Sequence, residues 1–282
     1  MGFETNAAAL LLKMRRDGVE LGRVLTLGHQ HLHLDPATYR RVQSRLGQPL
    51  ASEVPVYADT LLAALGAASV EALDASRYEG ATRLHDLNQP VPAEWHEQFD
   101  LVFDGGTLEH VFNFAAALKN CMQMVKPHGR FVSVTMPNNW CGHGFYQFSP
   151  ELFFRALGPE NGFSVVEMYF ADVEGRRFYR VVDPAAVRER VQLWTSDPVF
   201  LLVHARRDAV RDVFAAAPQQ SDYVSDWAGD RATTTPKRFE AWKESPILRP
   251  IRRLRRQMLL RRHRRIFSFR NRAFYQPADL RI

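Results

Sequence analysis

The alternation of two kinds of apolar segment is the feature that most restricts the fold of this chain. Short β-branched runs alternate with stretches whose apolar residues recur at helical spacing, an order typical of a mostly parallel sheet with helices on both faces. Seven segments have the pattern of strands, at residues 23–28, 69–76, 81–88, 99–106, 130–137, 163–170 and 198–205. The sequence therefore predicts a seven-stranded α/β fold.

Capping signals place helices between these strands. An Asp or a Ser followed by Pro, at 35–36 and 149–150, predicts helices that end near residues 46 and 158. Asn113 is predicted to cap another helix, which has Cys121 on its apolar face. Two further helices are predicted, at 57–65 and 184–194.

The charge distribution divides the chain in two. Eleven arginines and no acidic residue lie between Arg249 and Arg272. Removing them from the 37 basic residues leaves 26 against 31 acidic residues, so the rest of the chain has a net charge of −5. We therefore predict a compact domain at residues 1–205 and a C-terminal extension at 206–282 that contains a basic amphipathic helix.

Composition excludes several classes of protein. Two cysteines, Cys121 and Cys141, are too few for a disulfide framework or a four-thiolate zinc site, which favours a reducing compartment. The first residues lack the pattern of a signal peptide, and no run reaches the length of about 18 apolar residues that a spanning helix needs. These observations predict a cytoplasmic protein.

Glycine and acidic residues follow the predicted strands at their carboxyl ends. Gly28, Asp74 and Asp86 come after the first three strands, and segments 104–110 and 138–147 follow the next two. Ligands of an open parallel sheet bind at this edge, where the strand order reverses. One acid can accept both hydroxyls of a ribose, and another can accept from an adenine amine. Together these residues predict a nucleoside site.

Two motifs carry a resemblance to a known family. The segment FDLVFDGGTLEHVFNFAAALKNCMQMVKPHGRFVSVTMPNN, at 99–139, resembles class I S-adenosylmethionine-dependent methyltransferases. The segment GHGFYQFSPELF, at 142–153, resembles members that act on small molecules and sugars. The resemblance extends over about 23–205 and is specific over 69–158. It implies a Rossmann-like fold, S-adenosylmethionine as cofactor, and methyl transfer to a small molecule or to a glycan or lipid-linked precursor.

The resemblance also implies roles for individual residues. Asp74 would bind the ribose, Asp86 and Leu87 the adenine, and the loop that begins at Asp104 the methionine end of the cofactor. No metal is required for this chemistry, and none is predicted.

One turn departs from the pattern of the family. Members usually carry GxGxG after the first strand, which lets the backbone approach the cofactor. Here the turn reads Gly28-His29-Gln30-His31, so a single glycine remains. Gly28 and Gln30 either still contact the cofactor through the backbone, or the cofactor binds weakly, or it does not bind. A methyltransferase-like binding protein without the cofactor is therefore an alternative.

Three residues are candidates for acid-base chemistry. His143, His110 and Glu109 lie on the two loops that would flank the acceptor, and histidine titrates near neutral pH. His143 is the first candidate for a base. The alternative is that residues 142–144 form an ordinary turn, and that Glu109 and His110 only begin a helix.

Histidines at alternating positions in the segment 29–33 invite comparison with a metal site, because alternate residues of an extended segment face the same way. No acid or cysteine with ligand spacing accompanies them, so the sequence favours a polar loop there.

The basic run permits three kinds of contact. A helix over 247–272 would have arginines on one side and Ile251, Leu254 and Met258 on the other, which suits peripheral contact with an anionic membrane at its inner face. The same arginines could bind RNA phosphates, as in an RNA methyltransferase. Alternatively, Phe267, Phe269, Phe274 and Tyr275 could pack on the domain. The sequence favours domain packing or membrane contact over nucleic acid.

Overall fold

A nine-stranded sheet forms the centre of the molecule. The computed structural model describes residues 2–47, 51–188, 190–227, 258 and 267–282. In the sheet, the strands follow the order β11 (Tyr275–Ala278), β9 (Phe178–Val181), β8 (Phe163–Asp172), β10 (Val199–Arg207), β7 (Val125–Asn138), β6 (Phe99–Asp104), β2 (Gly22–Leu27), β4 (Ala67–Asp74) and β5 (Arg83–Leu84). The neighbours from β7 to β5 are all parallel, whereas β8 to β11 pair antiparallel with one another and β10 pairs antiparallel with β7. The largely parallel Rossmann-like arrangement predicted from the sequence is confirmed.

The elements have the following bounds. The strands are β1 Gly2–Glu4, β2 Gly22–Leu27, β3 His31–His33, β4 Ala67–Asp74, β5 Arg83–Leu84, β6 Phe99–Asp104, β7 Val125–Asn138, β8 Phe163–Asp172, β9 Phe178–Val181, β10 Val199–Arg207 and β11 Tyr275–Ala278. The helices are α1 Thr5–Arg16, α2 Pro36–Leu46, α3 Asp59–Ala64, α4 Phe114–Met124, α5 Pro150–Ala156, α6 Pro184–Val187 and α7 Ser221–Trp227. Short 3₁₀ turns lie at Ala93–Trp95, Leu108–His110 and Pro159–Asn161.

Each of the seven predicted strands is present, but the count of seven is wrong for the sheet. Strands β9 and β11 extend it beyond β8. The third predicted strand shrinks to Arg83–Leu84, because the chain turns at Asp86, whose carboxylate accepts from the Asn88 N–H at 2.9 Å.

Two apolar layers cover the sheet. On one face α4 and α5 bury Cys121 and Phe153 against the strands, as the helical spacing predicts for α4. On the other face α1, α2 and α3 pack through residues such as Leu10, Tyr39 and Leu61. Burial on both faces explains why the central strands are apolar along most of their length.

The capping signals give three different outcomes. Asp35 and Ser149 accept from backbone N–H groups of α2 and α5, so both caps are confirmed, although α5 already ends at Ala156. Asn113 makes no side-chain cap on α4, and that prediction is wrong. Instead, the Asn113 backbone N–H donates to the side-chain oxygen of Asn88 at 2.8 Å, because the loop after β5 packs against this end of α4.

The helix predicted over 184–194 is also too long. It covers only α6, because Arg188 adopts a left-handed conformation with φ of +54°. The helix predicted over 57–65 corresponds to the shorter α3, Asp59–Ala64.

The amino-terminal elements add structure that the sequence pattern did not indicate. Strand β1 pairs in parallel with β3, so His31 and His33 lie on a short strand, whereas His29 lies in the loop that precedes it. Helix α1 follows β1 directly and is buried along Ala7–Leu11.

The end of the predicted extension contacts the domain. Strand β11 pairs with β9, Phe269 stacks on Tyr179 at 4.1 Å, and the Tyr275 hydroxyl donates to the Gln192 carbonyl at 2.8 Å. This agrees with the packing alternative for Phe269 and Tyr275. Most of the basic segment 247–272 lies outside the described residues. In the part that is described, none of the helices has the length and apolar character to cross a membrane.

Candidate functional site

A cleft of about 250 Å³ opens at the carboxyl ends of β2, β4 and β6. The strand order reverses here, since the chain runs from β2 to β4 on one side and returns to β6 on the other. The structure brings six of the nine predicted site residues into its lining, namely Gly28, Gln30, Asp74, Asp86, Leu87 and His110.

Asp74 presents a carboxylate oxygen to the floor of this cleft. Its Oδ1 accepts from the Ser76 N–H at 3.1 Å, which fixes the side chain. A Cβ on Gly28 would lie 3.8 Å from Asp74 Oδ2, and Gly28 has φ of +72°. Glycine at this position therefore serves both the turn and the space in front of the carboxylate.

Asp86 and Leu87 form the neighbouring wall. Asp86 is exposed, and hydrogen bonds from the Asn88 backbone and side chain hold its pKa below the usual value. Leu87 is 7% exposed and supplies an apolar surface. An ionised acceptor beside an apolar surface suits the edge and the face of a purine ring.

The unusual turn after β2 places its two large residues differently. Gln30 is 3% exposed and folds under the turn, where its amide donates to the Leu27 carbonyl and its Oε1 packs against Gly105. His29 stacks on Tyr57 at 3.6 Å and contacts the Asp59 carboxylate at 2.9 Å. The turn therefore leaves the backbone of Gly28 facing the cleft, while His29 forms a side wall.

Asp104 begins the loop that is predicted to meet the methionine end of the cofactor, but its own side chain does not line the cleft. It is fully buried and accepts from the Ser133 hydroxyl at 2.7 Å and from the Thr107 N–H at 2.8 Å. Burial raises the pKa of Asp104. The carboxylate therefore shapes the loop from Gly105 to Thr107 from beneath, and this loop borders the cleft.

Glu109 is the second buried carboxyl group at this edge. It is fully buried in the turn Leu108–His110, and its Oε2 accepts from the Thr135 hydroxyl at 3.2 Å. Among the described residues, Oε1 has no hydrogen-bond partner. Burial, reinforced by the charge of Asp104, raises the pKa of Glu109 to about 8.

His110 and His143 meet above Glu109. Their Nε2 atoms lie 3.2 Å apart, and the Phe145 N–H donates to the Glu109 carbonyl at 2.7 Å, which fixes the loop that carries His143. Burial and the adjacent His143 lower the pKa of His110, which favours its neutral form. The structure thus brings the three predicted catalytic residues together.

Sequence reasoning did not single out several residues of this site. Thr107 lines the cleft and its hydroxyl donates to the Leu27 carbonyl at 2.8 Å, which joins the ends of β2 and β6. Phe112 and Phe145 stand 72% and 67% exposed beside the histidines, with their rings 5.8 Å apart. Thr107 lies inside the segment 104–110, so its position could have drawn attention. The pairing of the two rings is visible only in three dimensions.

Comparison with known families bears on this cleft. Residues 60–133 match the family model described as "Methyltransferase domain", and the match includes Asp74, Asp86 and Glu109. Residues 60–133 of this chain are thus similar to a methyltransferase domain. The matched segment begins after the unusual turn, so the departure at 28–31 lies outside it.

Solved structures that resemble this chain include three enzymes. CalH, a trans-methyltransferase solved with S-adenosylhomocysteine, is 16% identical with a TM-score of 0.39, and 72% of this chain covers 55% of CalH. The Burkholderia thailandensis 1,6-didemethyltoxoflavin-N1-methyltransferase is 15% identical, with a TM-score of 0.38 and coverage of 73% and 78%. NodS from Bradyrhizobium japonicum, an N-methyltransferase, is 14% identical, with a TM-score of 0.37 and coverage of 72% and 86%. No curated protein matches the sequence significantly.

The chain thus spans just over half of the length of CalH.

The residues of the cleft fit the nucleoside part of S-adenosylmethionine. Asp74 keeps one oxygen directed into the cleft, Gly28 leaves space in front of it, and Leu87 offers an apolar wall. The methionine end would meet backbone at Gly28 and at the loop 105–107, although the space beside Gly105 is taken by the Gln30 side chain. The cleft therefore keeps room for the nucleoside part of such a cofactor despite the altered turn.

Proposed function

We propose that this chain is a methyltransferase that acts on a small molecule or on a glycan or lipid-linked precursor that binds beside His110 and His143. The observation that carries the proposal is the position of this pair: His110 lines the cofactor cleft, and its Nε2 contacts His143 on the opposite loop. An acceptor placed there lies next to the cofactor and next to groups able to take its proton.

The surroundings of the pair support a compact acceptor. Phe112 and Phe145 extend into solvent next to the histidines, and exposed aromatic rings beside a cleft provide apolar surface for a ligand. Trp140 lies 6.0 Å from His143, edge to face. These rings would bind the face of a sugar or another ring, and the imidazoles would meet its polar group.

The chemistry needs alignment more than strong acid or base catalysis. The bound cofactor supplies a methyl group whose bond to sulfur breaks with the electron pair staying on sulfur. The chain contributes by holding the acceptor at attack distance, which can supply most of the rate. The Nε2 atoms of His110 and His143 lie 3.2 Å apart, and a hydrogen bond between them leaves the Nδ1 lone pair of the donor ring for the proton of the acceptor.

Calorimetric titration with S-adenosylhomocysteine tests the cofactor part of the proposal. We expect micromolar binding by the full chain and at least about tenfold weaker binding by Asp74→Ala, because a lost charged hydrogen bond costs about 1.5 kcal/mol or more. Asp212→Ala is the matched control, since Asp212 is 78% exposed and outside the cleft. No heat with millimolar ligand would instead identify a methyltransferase-like binding protein without the cofactor.

The acceptor part has its own test. Methyl transfer from labelled cofactor is measured on fractions of sugars, glycolipids and small metabolites, with RNA as a separate arm. We expect transfer to a non-nucleic-acid fraction, and at least about tenfold slower transfer by His143→Asn with unchanged binding of S-adenosylhomocysteine. Transfer to RNA alone would contradict the proposed acceptor class.

A cytoplasmic location, with peripheral contact at an anionic membrane through residues 247–272, is part of the same proposal. Its support is the eleven arginines of this segment. Cosedimentation of the full chain with anionic liposomes tests it. Equal cosedimentation after deletion of 247–272 would contradict the membrane contact.

A further inference from the structure

Glu109, His110 and His143 form a compact cluster of potential metal ligands. One ligand atom from each residue lies within 4.8 Å of the others, and no second cluster of this kind occurs among the described residues. The residues come from two loops, which the hydrogen bond between the Phe145 N–H and the Glu109 carbonyl holds together. The cluster is therefore fixed by the fold, beside the cofactor cleft.

One oxygen of the buried carboxylate in this cluster lacks a partner among the described residues. Glu109 is fully buried, and within the described part of the chain nothing donates to its Oε1. Asp104, also fully buried, adds a second acidic group nearby. No lysine or arginine of the described residues forms an ion pair with either carboxylate, and buried acidic groups without a cation are unfavourable unless they stay protonated. A cation at Glu109 would remove this imbalance.

The geometry of the imidazoles agrees with a bound ion. Two nitrogens on a tetrahedral zinc ion, each at 2.0–2.1 Å, lie about 3.3 Å from each other. The Nε2 atoms of His110 and His143 are 3.2 Å apart, so an ion could replace the proton that they share. All three ligand atoms lie within 4.8 Å of one another, so the Glu109 oxygen has to approach the imidazoles by at most about 1.5 Å to complete the ligand set.

We propose that Glu109, His110 and His143 bind one divalent ion of the zinc type at the acceptor side of the cleft. Two imidazoles and a carboxylate are a donor set that such ions prefer, and three protein ligands leave a coordination position open. This inference rests on the proposed function, and it assigns the histidines a joint role as ligands in place of proton acceptors.

The open position determines the acceptor chemistry. A hydroxyl oxygen bound there loses its proton to water more easily. That oxygen then forms the bond to the methyl carbon as the carbon–sulfur bond breaks, and the cofactor leaves as S-adenosylhomocysteine. The site therefore selects an acceptor with a hydroxyl group that can coordinate the ion.

The histidines at 29–33 provide an internal comparison. His29 contacts the Asp59 carboxylate and stacks on Tyr57. His31 lies 3.4 Å from the Glu79 carboxylate, but its ring is 5.9 Å from that of His33, and these residues form no three-ligand cluster among those described. His33→Asn is thus a matched control for a histidine substitution outside the cluster.

Metal binding to the full chain tests the inference directly. After EDTA treatment and dialysis, ZnCl₂ is titrated calorimetrically, and Co²⁺ is added for its visible absorption in a tetrahedral site. We expect one Zn²⁺ per chain with micromolar or tighter affinity in the wild type and in His33→Asn. His143→Asn and Glu109→Gln should bind at least about 100-fold more weakly, because each loses a direct ligand.

Two results would overturn the ion site: no Zn²⁺ binding by the wild type, or equal binding by His143→Asn. Titration of the same samples with S-adenosylhomocysteine separates this failure from that of the proposed function. Normal cofactor binding without Zn²⁺ contradicts only the ion site and leaves the imidazole pair as proton acceptor. Absence of cofactor binding in the wild type contradicts the proposed function, whatever the Zn²⁺ result.

Discussion

Two buried glutamates of this protein have opposite environments. Glu109, at the edge that carries the candidate site, accepts one side-chain hydrogen bond from the described residues, that of the Thr135 hydroxyl. Glu167, 8% exposed on β8, contacts Lys13 at 2.7 Å, accepts from the Tyr169 hydroxyl at 2.7 Å, and lies 3.2 Å from His204 Nδ1. Burial by itself raises the pKa of Glu167, but its three partners together lower it to about 2, whereas that of Glu109 is raised to about 8.

The difference in partners distinguishes the structural carboxylate of Glu167 from the candidate functional carboxylate of Glu109. Glu167 has its charge compensated within the fold, so it joins α1 to the sheet. Glu109 has no such compensation, and a group that the fold leaves unsatisfied at the edge of a cleft is a candidate for ligand or substrate contact. The same residue type in two buried positions therefore serves two purposes.

Glu167→Gln should have the largest effect on stability. We expect a loss of about 3 kcal/mol in the free energy of unfolding at pH 7, because His204 loses its carboxylate partner and Lys13 keeps only Asp17. Urea denaturation followed by far-UV circular dichroism measures the change. A loss below about 0.5 kcal/mol would mean that the Glu167 contacts do not stabilise the fold.

Glu109→Gln should shift stability in the other direction. In the metal-free protein at pH 7, folding of the wild type must either bury a charged carboxylate or take up a proton, and glutamine avoids both. We expect a gain of about 2 kcal/mol in the presence of EDTA. If this variant instead loses as much as Glu167→Gln, then Glu109 is compensated in the fold and the comparison fails.

The stability changes caused by Glu167→Gln and by Glu109→Gln should depend on pH in opposite directions. A carboxyl group with a lowered folded pKa contributes stability above its unfolded value of about 4.5, and this is lost as the pH falls towards about 2. For Glu109, the folded state holds the proton more tightly, so its stability contribution declines as the pH rises from about 4.5 to about 8.

Denaturation series of both variants, the wild type and Asp212→Ala, in EDTA across pH 3 to 9, measure these differences. The difference in the free energy of unfolding between the wild type and Glu167→Gln should become smaller below about pH 4.5. The difference between the wild type and Glu109→Gln should become larger as the pH rises to about 8. Parallel curves for the wild type and Glu109→Gln would show that the pKa of Glu109 is not raised.

Removal of single hydroxyl partners should have the smallest effects. Tyr169→Phe deletes one of the three partners of Glu167 and should cost about 1 kcal/mol. Thr135→Val deletes the longer 3.2 Å hydrogen bond to Glu109 and should cost less. Both are measured by urea denaturation at pH 7. A reversed order would place Glu109 in the better hydrogen-bonded environment.

The sequence predicted the parts of the fold that depend on local chemistry. Three such features are present: the Asp35 cap, the Ser149 cap and the buried strand β6. Each of them is signalled by residues only a few positions apart. Strands β9 and β11 were missed, because the second of them lies nearly a hundred residues beyond its partner and its pattern is short. Asn113 was misjudged because Asn88, far away in the chain, offers it a competing partner.

The candidate site was predicted in outline. Strand ends located Gly28, Asp74 and Asp86 correctly at one cleft, because parallel strands finish at a common edge. The orientation of Asp104 was not accessible from the sequence, since only the packing of Ser133 and Thr107 around it directs the carboxylate inward. For the same reason, the sequence did not predict that the Gln30 side chain folds against Gly105, since the two residues are distant in the chain.

The sequence by itself determined the alternation of strands and helices, and with it the edge where the cofactor cleft lies, since backbone propensity and apolar periodicity act over short distances. Only the tertiary structure decided which carboxyl groups are compensated. Glu109 and Glu167 are indistinguishable as letters in the chain. Whether a buried carboxylate forms an ion pair with a lysine depends on side chains that come from distant segments. Because water is excluded, the presence or absence of that ion pair changes the proton affinity of the carboxylate by several powers of ten.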